Sequence, residues 1–151
     1  TISSFWNHSW VSFISFNFYH RYTKNKYISL EGIKKWAIQI LHGLDYLHSR
    51  TPPIIHKDLK CSNLFIDGIV SAVRIGDLGL ASHSNRSSPI AGTLEYMAPE
   101  IIDKNIYNEK TDMYAFGMCL LELITKNPPY HECETMGELI TKVLAVEFRN
   151  H

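Results

Sequence analysis

The sequence predicts an α+β fold, in which a mainly helical body carries short β-hairpin strands. Apolar residues recur at helical spacing between residues 30 and 49, and short β-prone pieces stand between turn signals after residue 53. The chain has 151 residues, of which 45% are hydrophobic, so one core can form without disulfides or metal ions. This composition excludes the collagen-like, coiled-coil and disordered classes.

Net charge and cysteine content indicate which binding partners and which cellular compartment to expect. The 15 Lys and Arg residues balance 15 Asp and Glu residues, so we expect no nucleic-acid partner. The three cysteines, Cys61, Cys119 and Cys133, are widely spaced and include no C-x-x-C pair. We interpret them as reduced thiols, which predicts a cytoplasmic protein.

The first 28 residues form an atypical leader. Residues 5–19 are aromatic and apolar, but polar residues interrupt them. The stretch is too short and too polar to span a bilayer, and it lacks the pattern of a signal peptide, so we expect no membrane insertion. We interpret residues 1–28 as strand-rich or unstructured, with foreign sequence as one explanation for residues 1–20.

The first helix is predicted over about residues 30–49. Its apolar residues recur at steps of four, three, four and three, at Ile33, Ala37, Ile40, Leu44 and Leu47. Ser29 is the predicted N-cap, and Pro52 with Pro53 prevents the helix from continuing.

Short strands are predicted after this helix, at residues 54–55, 64–66 and 73–75. The last two are separated by a loop that starts with Asp67-Gly68, as in a small hairpin. Residues 82–93 are rich in Ser and show no apolar periodicity, so they are predicted to form a loop.

Two further helices complete the pattern. One starts near Thr111 and is apolar around most of its circumference, which predicts a central, buried helix. Its expected core residues are Phe116, Gly117 and Leu120. The other begins with a capping box formed by Thr135 and Glu138.

The most informative stretch is IIHKDLKCSN, at residues 54–63. It contains the pattern H-x-D-x-x-x-x-N, at His56, Asp58 and Asn63. The tripeptide DLG follows at 77–79, and APE follows at 98–100. Residues of these types in this order and spacing do not arise by chance.

These motifs resemble the eukaryotic protein kinases and, within them, the with-no-lysine (WNK) family. The phrases that carry the resemblance are TPPIIHKDLKC, RIGDLGLA, GTLEYMAPE, YAFGMCLLE and PPYHEC. The resemblance implies a protein-kinase-like fold, in which residues 29–151 form a partial kinase domain: most of the helical C-lobe without its last helices. The N-lobe is expected to be absent, because the chain contains neither G-x-G-x-x-G nor a V-A-I-K strand.

The resemblance also implies a site for ATP and Mg²⁺, with a protein as the second substrate. Asp58 would accept the proton of a Ser or Thr hydroxyl, and Lys60 would place its ammonium on the transferring phosphate. Asn63 and Asp77 would supply oxygen ligands to the Mg²⁺ that bridges the phosphates. Phe65 would form the floor under the adenine.

Residues between the motifs are implied to contact the substrate and to regulate activity. Thr93 belongs to the substrate loop. Ser88 and Ser87 are the nearest substitutes for an activation-loop serine, because the expected position holds Pro89. Lys57 replaces the usual arginine that binds a phosphorylated residue of the activation loop. Ordering of the activation loop by phosphorylation is therefore expected to be weaker.

The resemblance further implies an anion site and two structural supports. Residues Leu78, Gly79 and Leu80 resemble the chloride-sensing segment of the WNK family, so chloride is an expected regulator. His56 is expected to pack beneath the DLG segment. Asp112 is expected to anchor the backbone of the catalytic loop, residues 56–63, from the buried helix.

Two interpretations of function stay open. The first is a serine/threonine protein kinase, for which Asp58, Asn63 and Asp77 are all present. The second is a non-catalytic, pseudokinase-like module that binds partners through its helical face, which the absence of an N-lobe favours. A different nucleotide-dependent phosphotransferase is disfavoured, since it has no need for the APE motif. The isolated chain is expected to have no measurable kinase activity.

Overall fold

The computed structural model describes residues 15–17, 29–67, 72–83 and 89–147. Its strands are β1 (Ser15–Asn17), β2 (Ile54–Ile55), β3 (Leu64–Asp67), β4 (Val73–Ile75) and β5 (Ser82–His83). Its helices are α1 (Leu30–His48), α2 (Pro99–Lys104), α3 (Glu109–Thr125) and α4 (Met136–Glu147). Short 3-10 turns cover Cys61–Asn63 and Leu94–Tyr96. The fold is α+β and mainly helical, as predicted.

The strands form two small antiparallel sheets, ordered β1-β3-β4 and β2-β5. The hairpin of β3 and β4 is confirmed, with Phe65 opposite Arg74. The prediction of a loop over residues 82–93 was wrong at its start, because Ser82 pairs with Ile55 and extends β2 into a sheet. A strand of two residues has no sequence period that could reveal it.

The helix ends follow from side chains that cap backbone groups. The N-cap of α1 is confirmed, since the Ser29 hydroxyl accepts a hydrogen bond from the Gly32 N–H at 3.1 Å. Helix α3 begins slightly before the predicted start, because Asn108 accepts a hydrogen bond from the Lys110 N–H at 2.8 Å. In α4, the Thr135 hydroxyl accepts from the Glu138 N–H at 3.2 Å, which is one half of the predicted capping box. The Glu138 carboxylate accepts from the Glu134 N–H at 3.0 Å, one residue before the expected partner.

Two groups of buried side chains form the core. The larger group lies between α1, α3 and the β3-β4 hairpin; its buried residues are Ile33, Ile40, Leu44, Leu59, Cys61, Leu64, Ile66, Val73, Ala115, Phe116, Cys119 and Leu123. The smaller group joins α2 to the residues on either side of it; its members are Met97, Ala98, Ile101 and Tyr107. Helix α2 was not predicted, although Pro99 in its first turn is a known start signal.

Helix α3 is buried on one side rather than all round. Phe116 is buried and Leu120 is half-buried against the larger core group, as expected. The expectation for Gly117 was wrong, because it is exposed and a Cβ there would meet no atom within 4 Å. Leu121 and Ile124 are also exposed, at 46% and 61%. Among the described residues, α1 and the catalytic-loop region cover only one face of this helix.

None of the helices in the described part of the chain combines the length and the apolar composition needed to cross a membrane.

Candidate active site

Asp112 holds the backbone of the catalytic loop in place. Its side chain is 2% exposed. One carboxylate oxygen accepts a hydrogen bond from the Lys57 N–H at 3.0 Å, and the other accepts from the His56 N–H at 2.9 Å. The His48 ring nitrogen Nε2 contacts that second oxygen at 2.8 Å. Three donors therefore satisfy one buried carboxylate, and the predicted anchoring role of Asp112 is confirmed.

The buried His56 ring connects the catalytic loop to the residue before the DLG segment. Its Nδ1 accepts a hydrogen bond from the Asp58 N–H at 3.3 Å, and its Nε2 lies 2.9 Å from the Gly76 carbonyl oxygen. These two contacts require the proton to be on Nε2, which donates to that carbonyl. The ring thus contacts the residue immediately before the DLG segment, and its expected packing beneath residues 77–79 themselves stays a prediction.

Asp58, Lys60 and Thr93 form a closed triangle of side chains. The Thr93 hydroxyl donates to Asp58 Oδ1 at 2.7 Å, and Lys60 Nζ lies 2.9 Å from Asp58 Oδ2. Lys60 Nζ also donates to the Thr93 hydroxyl oxygen at 2.7 Å. Residues that are 35 positions apart in sequence are therefore brought onto one carboxylate.

Asn63 supports the same carboxylate from the other side. Its amide nitrogen donates to the Asp58 carbonyl oxygen at 2.8 Å and to Asp58 Oδ2 at 3.2 Å. These bonds fix which end of the amide faces Asp58. The amide oxygen, Oδ1, accepts no hydrogen bond from the residues that the structure describes, so it is available as a ligand.

The surroundings of Asp58 favour its ionised form. Partial burial raises the pKa of this carboxyl, but hydrogen bonds from Lys60, Thr93 and Asn63 and the charge of Lys60 lower it. The net result is a pKa below the ordinary value of 3.8. At neutral pH, Asp58 is therefore a hydrogen-bond acceptor.

The DLG segment is far more exposed than the catalytic loop. Asp77 has a left-handed backbone, with φ of 57°, and its side chain accepts a hydrogen bond from the Gly79 N–H at 3.3 Å. Leu78 is half-buried, Gly79 is exposed and Leu80 is 42% exposed. The Asp77 carboxylate and the Asn63 amide oxygen are hard donors that fit Mg²⁺ chemically. No three His, Cys, Asp or Glu side chains of the described residues form a metal site by themselves.

Phe65 lies on β3 beside the DLG segment. A Cβ on Gly76 would be 2.4 Å from the Phe65 ring, so the glycine is required for the ring to approach the backbone this closely. The Phe65 ring is half-buried. Its expected place under the adenine stays a prediction, and Ser87 and Ser88 lie outside the described residues.

Lys57 occupies a strained and largely buried position. Its backbone has φ of 70°, and its ammonium lies 4.6 Å from the centre of the Tyr107 ring. Burial lowers the pKa of this ammonium, and the charge of Asp112 offsets part of the effect. Sequence reasoning missed Tyr107, because no local pattern links it to a residue 50 positions earlier.

The cysteines are unpaired, as expected. Cys61 and Cys119 are buried and Cys133 is half-buried, and all three are free thiols. The hydrogen bond with Cys119, together with burial, raises the pKa of the Cys61 thiol, so it stays protonated and unreactive.

The motifs and their arrangement have counterparts in known proteins. The protein kinase domain matches residues 11–149 of this chain. The chain therefore belongs to the protein kinase family, and the predicted kinase-like fold is confirmed.

Within that family, the chain is similar to WNK serine/threonine kinases. It is 50% identical over 121 residues to the "Probable serine/threonine-protein kinase WNK9" of Oryza sativa subsp. japonica, covering 80% of this chain and 29% of that protein. It is 52% identical over 131 residues to the "Probable serine/threonine-protein kinase WNK4" of Arabidopsis thaliana, covering 82% and 22%. The "Serine/threonine-protein kinase WNK" of Caenorhabditis elegans is 49% identical over 122 residues, covering 80% and 6%. The chain thus spans less than a third of the length of these relatives.

Proposed function

We propose that this chain supplies the catalytic loop and the metal-binding segment of a serine/threonine protein kinase that uses ATP and Mg²⁺. The observation that carries the proposal is the Thr93 hydroxyl, which donates to Asp58 at 2.7 Å while it accepts from Lys60 at 2.7 Å. An aliphatic hydroxyl thus already lies between a carboxylate and an ammonium. A substrate Ser or Thr hydroxyl in the same arrangement would have an acceptor for its proton in Asp58.

Each side chain has a distinct task in this proposal. Asp58, ionised at neutral pH, accepts a hydrogen bond from the substrate hydroxyl and orients its oxygen toward the phosphorus. Lys60 offsets negative charge that develops on the transferring group. The Asn63 amide oxygen and the Asp77 carboxylate would hold Mg²⁺, which neutralises phosphate charge when it is bound.

A two-lobed protein, made by joining this chain to the N-terminal lobe of a related WNK kinase, tests the proposal. We expect Asp58→Asn to lower the transfer of radiolabelled phosphate to protein Ser and Thr by about 10²–10⁴-fold, with little change in nucleotide affinity. Asp77→Asn should instead weaken the binding of Mg-ATP. Asp103→Asn is the matched control, because Asp103 is exposed on α2.

The outcomes separate the two candidate functions. Wild-type turnover in the Asp58→Asn protein would show that Asp58 has another role. A wild-type protein that binds Mg-ATP but transfers no phosphate would favour the non-catalytic, pseudokinase-like module.

We also propose that chloride regulates the kinase through Leu78, Gly79 and Leu80. The proposal is supported by the exposure of Gly79 and Leu80 and by the long hydrogen bond of the Gly79 N–H, at 3.3 Å, which an anion can replace. Autophosphorylation of the two-lobed protein should be lower in chloride than in gluconate of equal ionic strength. Equal rates of autophosphorylation in the two buffers would show that chloride does not regulate the kinase.

A cytoplasmic location is proposed as well. It is supported by the free thiols Cys61 and Cys119, which stay reduced in that compartment. Fluorescence microscopy of the tagged protein, with compartment markers, tests it, and a signal confined to a secretory compartment would contradict it.

A further inference from the structure

Tyr107 lies between α2 and α3 and bonds to the backbone of a distant loop residue. Its hydroxyl accepts a hydrogen bond from the Ala91 N–H at 2.8 Å and donates one to the Ala91 carbonyl oxygen at 2.9 Å. Tyr107 is buried, with 7% of the residue exposed. A single hydroxyl therefore satisfies both backbone groups of Ala91, which determines the position of that residue and also its orientation.

The two residues after Ala91 contact the catalytic loop directly. Gly92 has φ of 118°, and a Cβ there would be 2.5 Å from the Lys57 carbonyl oxygen. Thr93 donates to Asp58 at 2.7 Å. A shift of this segment by one residue, about 3.3 Å, would break all of these contacts together.

The Tyr107 ring also contacts the catalytic loop itself. The Lys57 ammonium lies 4.6 Å from the ring centre, at a distance where a cation is attracted to an aromatic face. The side chain thus contacts both segments that meet at Asp58: its hydroxyl binds Ala91, and its ring packs against Lys57.

We propose that Tyr107 is a positioning residue for phosphoryl transfer. By fixing Ala91, it keeps Thr93 in register with Asp58 and Lys60, so that the Asp58 carboxylate stays oriented toward the substrate hydroxyl. Tyr107 contacts neither substrate nor metal in this role. The inference rests on the proposed kinase function for its effect on the rate, and on the hydrogen bonds alone for its effect on the loop.

The first test uses residues 1–151 and the variant Tyr107→Phe, which keeps the ring beneath Lys57 and removes only the hydroxyl. Tyr114→Phe is the matched control, because Tyr114 packs against the same core group but its hydroxyl contacts Tyr130 at 3.1 Å instead of the loop. We expect hydrogen exchange of the Ala91 amide to become about tenfold faster in Tyr107→Phe and to stay unchanged in Tyr114→Phe. Unchanged exchange in Tyr107→Phe would overturn the proposal.

The second test measures kinetics in the two-lobed protein. Tyr107→Phe should lower kcat about tenfold and leave the KM for ATP unchanged, whereas Tyr114→Phe should change neither. A kcat equal to that of wild type, after correction for the folded fraction, would reduce Tyr107 to a structural role and overturn the proposal. If the wild-type two-lobed protein transfers no phosphate, the proposed function fails, and the exchange rate of Ala91 still decides whether Tyr107 fixes the loop.

Discussion

The catalytic loop and the DLG segment were both predicted to form the site, yet the structure supports them very differently. The loop between His56 and Asn63 is bound by a buried carboxylate of α3 and by the residues around Thr93. In the DLG segment, the Asp77 side chain accepts one long hydrogen bond, from Gly79 two residues away. The catalytic loop is therefore held by contacts with the core, whereas the contact of the Asp77 side chain is local to the DLG segment.

Backbone strain makes the difference clearer. Lys57 and Asp77 both have positive φ, at 70° and 57°, which costs free energy for a residue other than glycine. At Lys57, the buried Asp112 carboxylate binds the backbone N–H and opposes that cost. At Asp77, no contact among the described residues is as buried as this one, and none opposes the cost in the same way. We infer that the core holds the catalytic loop more firmly than it holds the DLG segment.

Paired substitutions of Asp112 and Asp77 should give the largest contrast between the regions. Asp112→Asn places an amide N–H₂ against backbone donors in a buried site, so we expect it to lower the free energy of unfolding by about 2–4 kcal/mol. Asp77→Asn, in an exposed position where Asn tolerates the left-handed backbone, should change it by less than about 0.5 kcal/mol. Urea unfolding of residues 1–151, followed by circular dichroism, measures both. Equal losses would mean that the two regions are equally coupled to the core.

A second contrast compares two glycines. In Gly92→Ala, the new Cβ meets the Lys57 carbonyl oxygen at 2.5 Å in a backbone with φ of 118°, and we expect a loss of about 2–3 kcal/mol. In Gly79→Ala, the nearest atom is the end of the Asp77 side chain at 3.1 Å, so the loss should stay below about 1 kcal/mol. The same urea titration is the measurement. A Gly79→Ala protein that is the less stable of the two would contradict the contrast.

The smallest expected effect is the dependence of stability on pH through Asp58. Its pKa is lowered in the folded protein, so the ionised form stabilises the fold at pH values above the ordinary value of 3.8, and this contribution is lost as pH falls through the lower folded-state pKa. Because solvent screens the partly exposed pair of Asp58 and Lys60, we expect this contribution to the free energy of unfolding to be less than about 1 kcal/mol.

NMR titration of the Asp58 carboxyl tests this directly. Thr93→Val removes one hydrogen bond to the carboxylate and should move the pKa of Asp58 back toward its ordinary value. A pKa that is the same in both proteins would show that Thr93 does not stabilise the charge.

Much of the fold could be predicted from local signals. The N-cap of α1 and the capping box of α4 each involve residues three positions apart, so the sequence reveals them directly. The exposure of Leu121 and Ile124 on α3 could not be predicted in this way. Apolar composition indicates what a helix can bury, but the neighbouring elements decide which of its faces is covered.

The sequence by itself determined which side chains are the candidates for the chemistry, because the spacing of His56, Asp58 and Asn63 within one short loop is a local property of the chain. Only the tertiary structure decided what surrounds them. The contacts of Asp58 with Thr93, and of Tyr107 with Ala91, join residues 35 and 16 positions apart. Their geometry depends on how α2 and α3 pack against the rest of the chain, and no local sequence period encodes that packing.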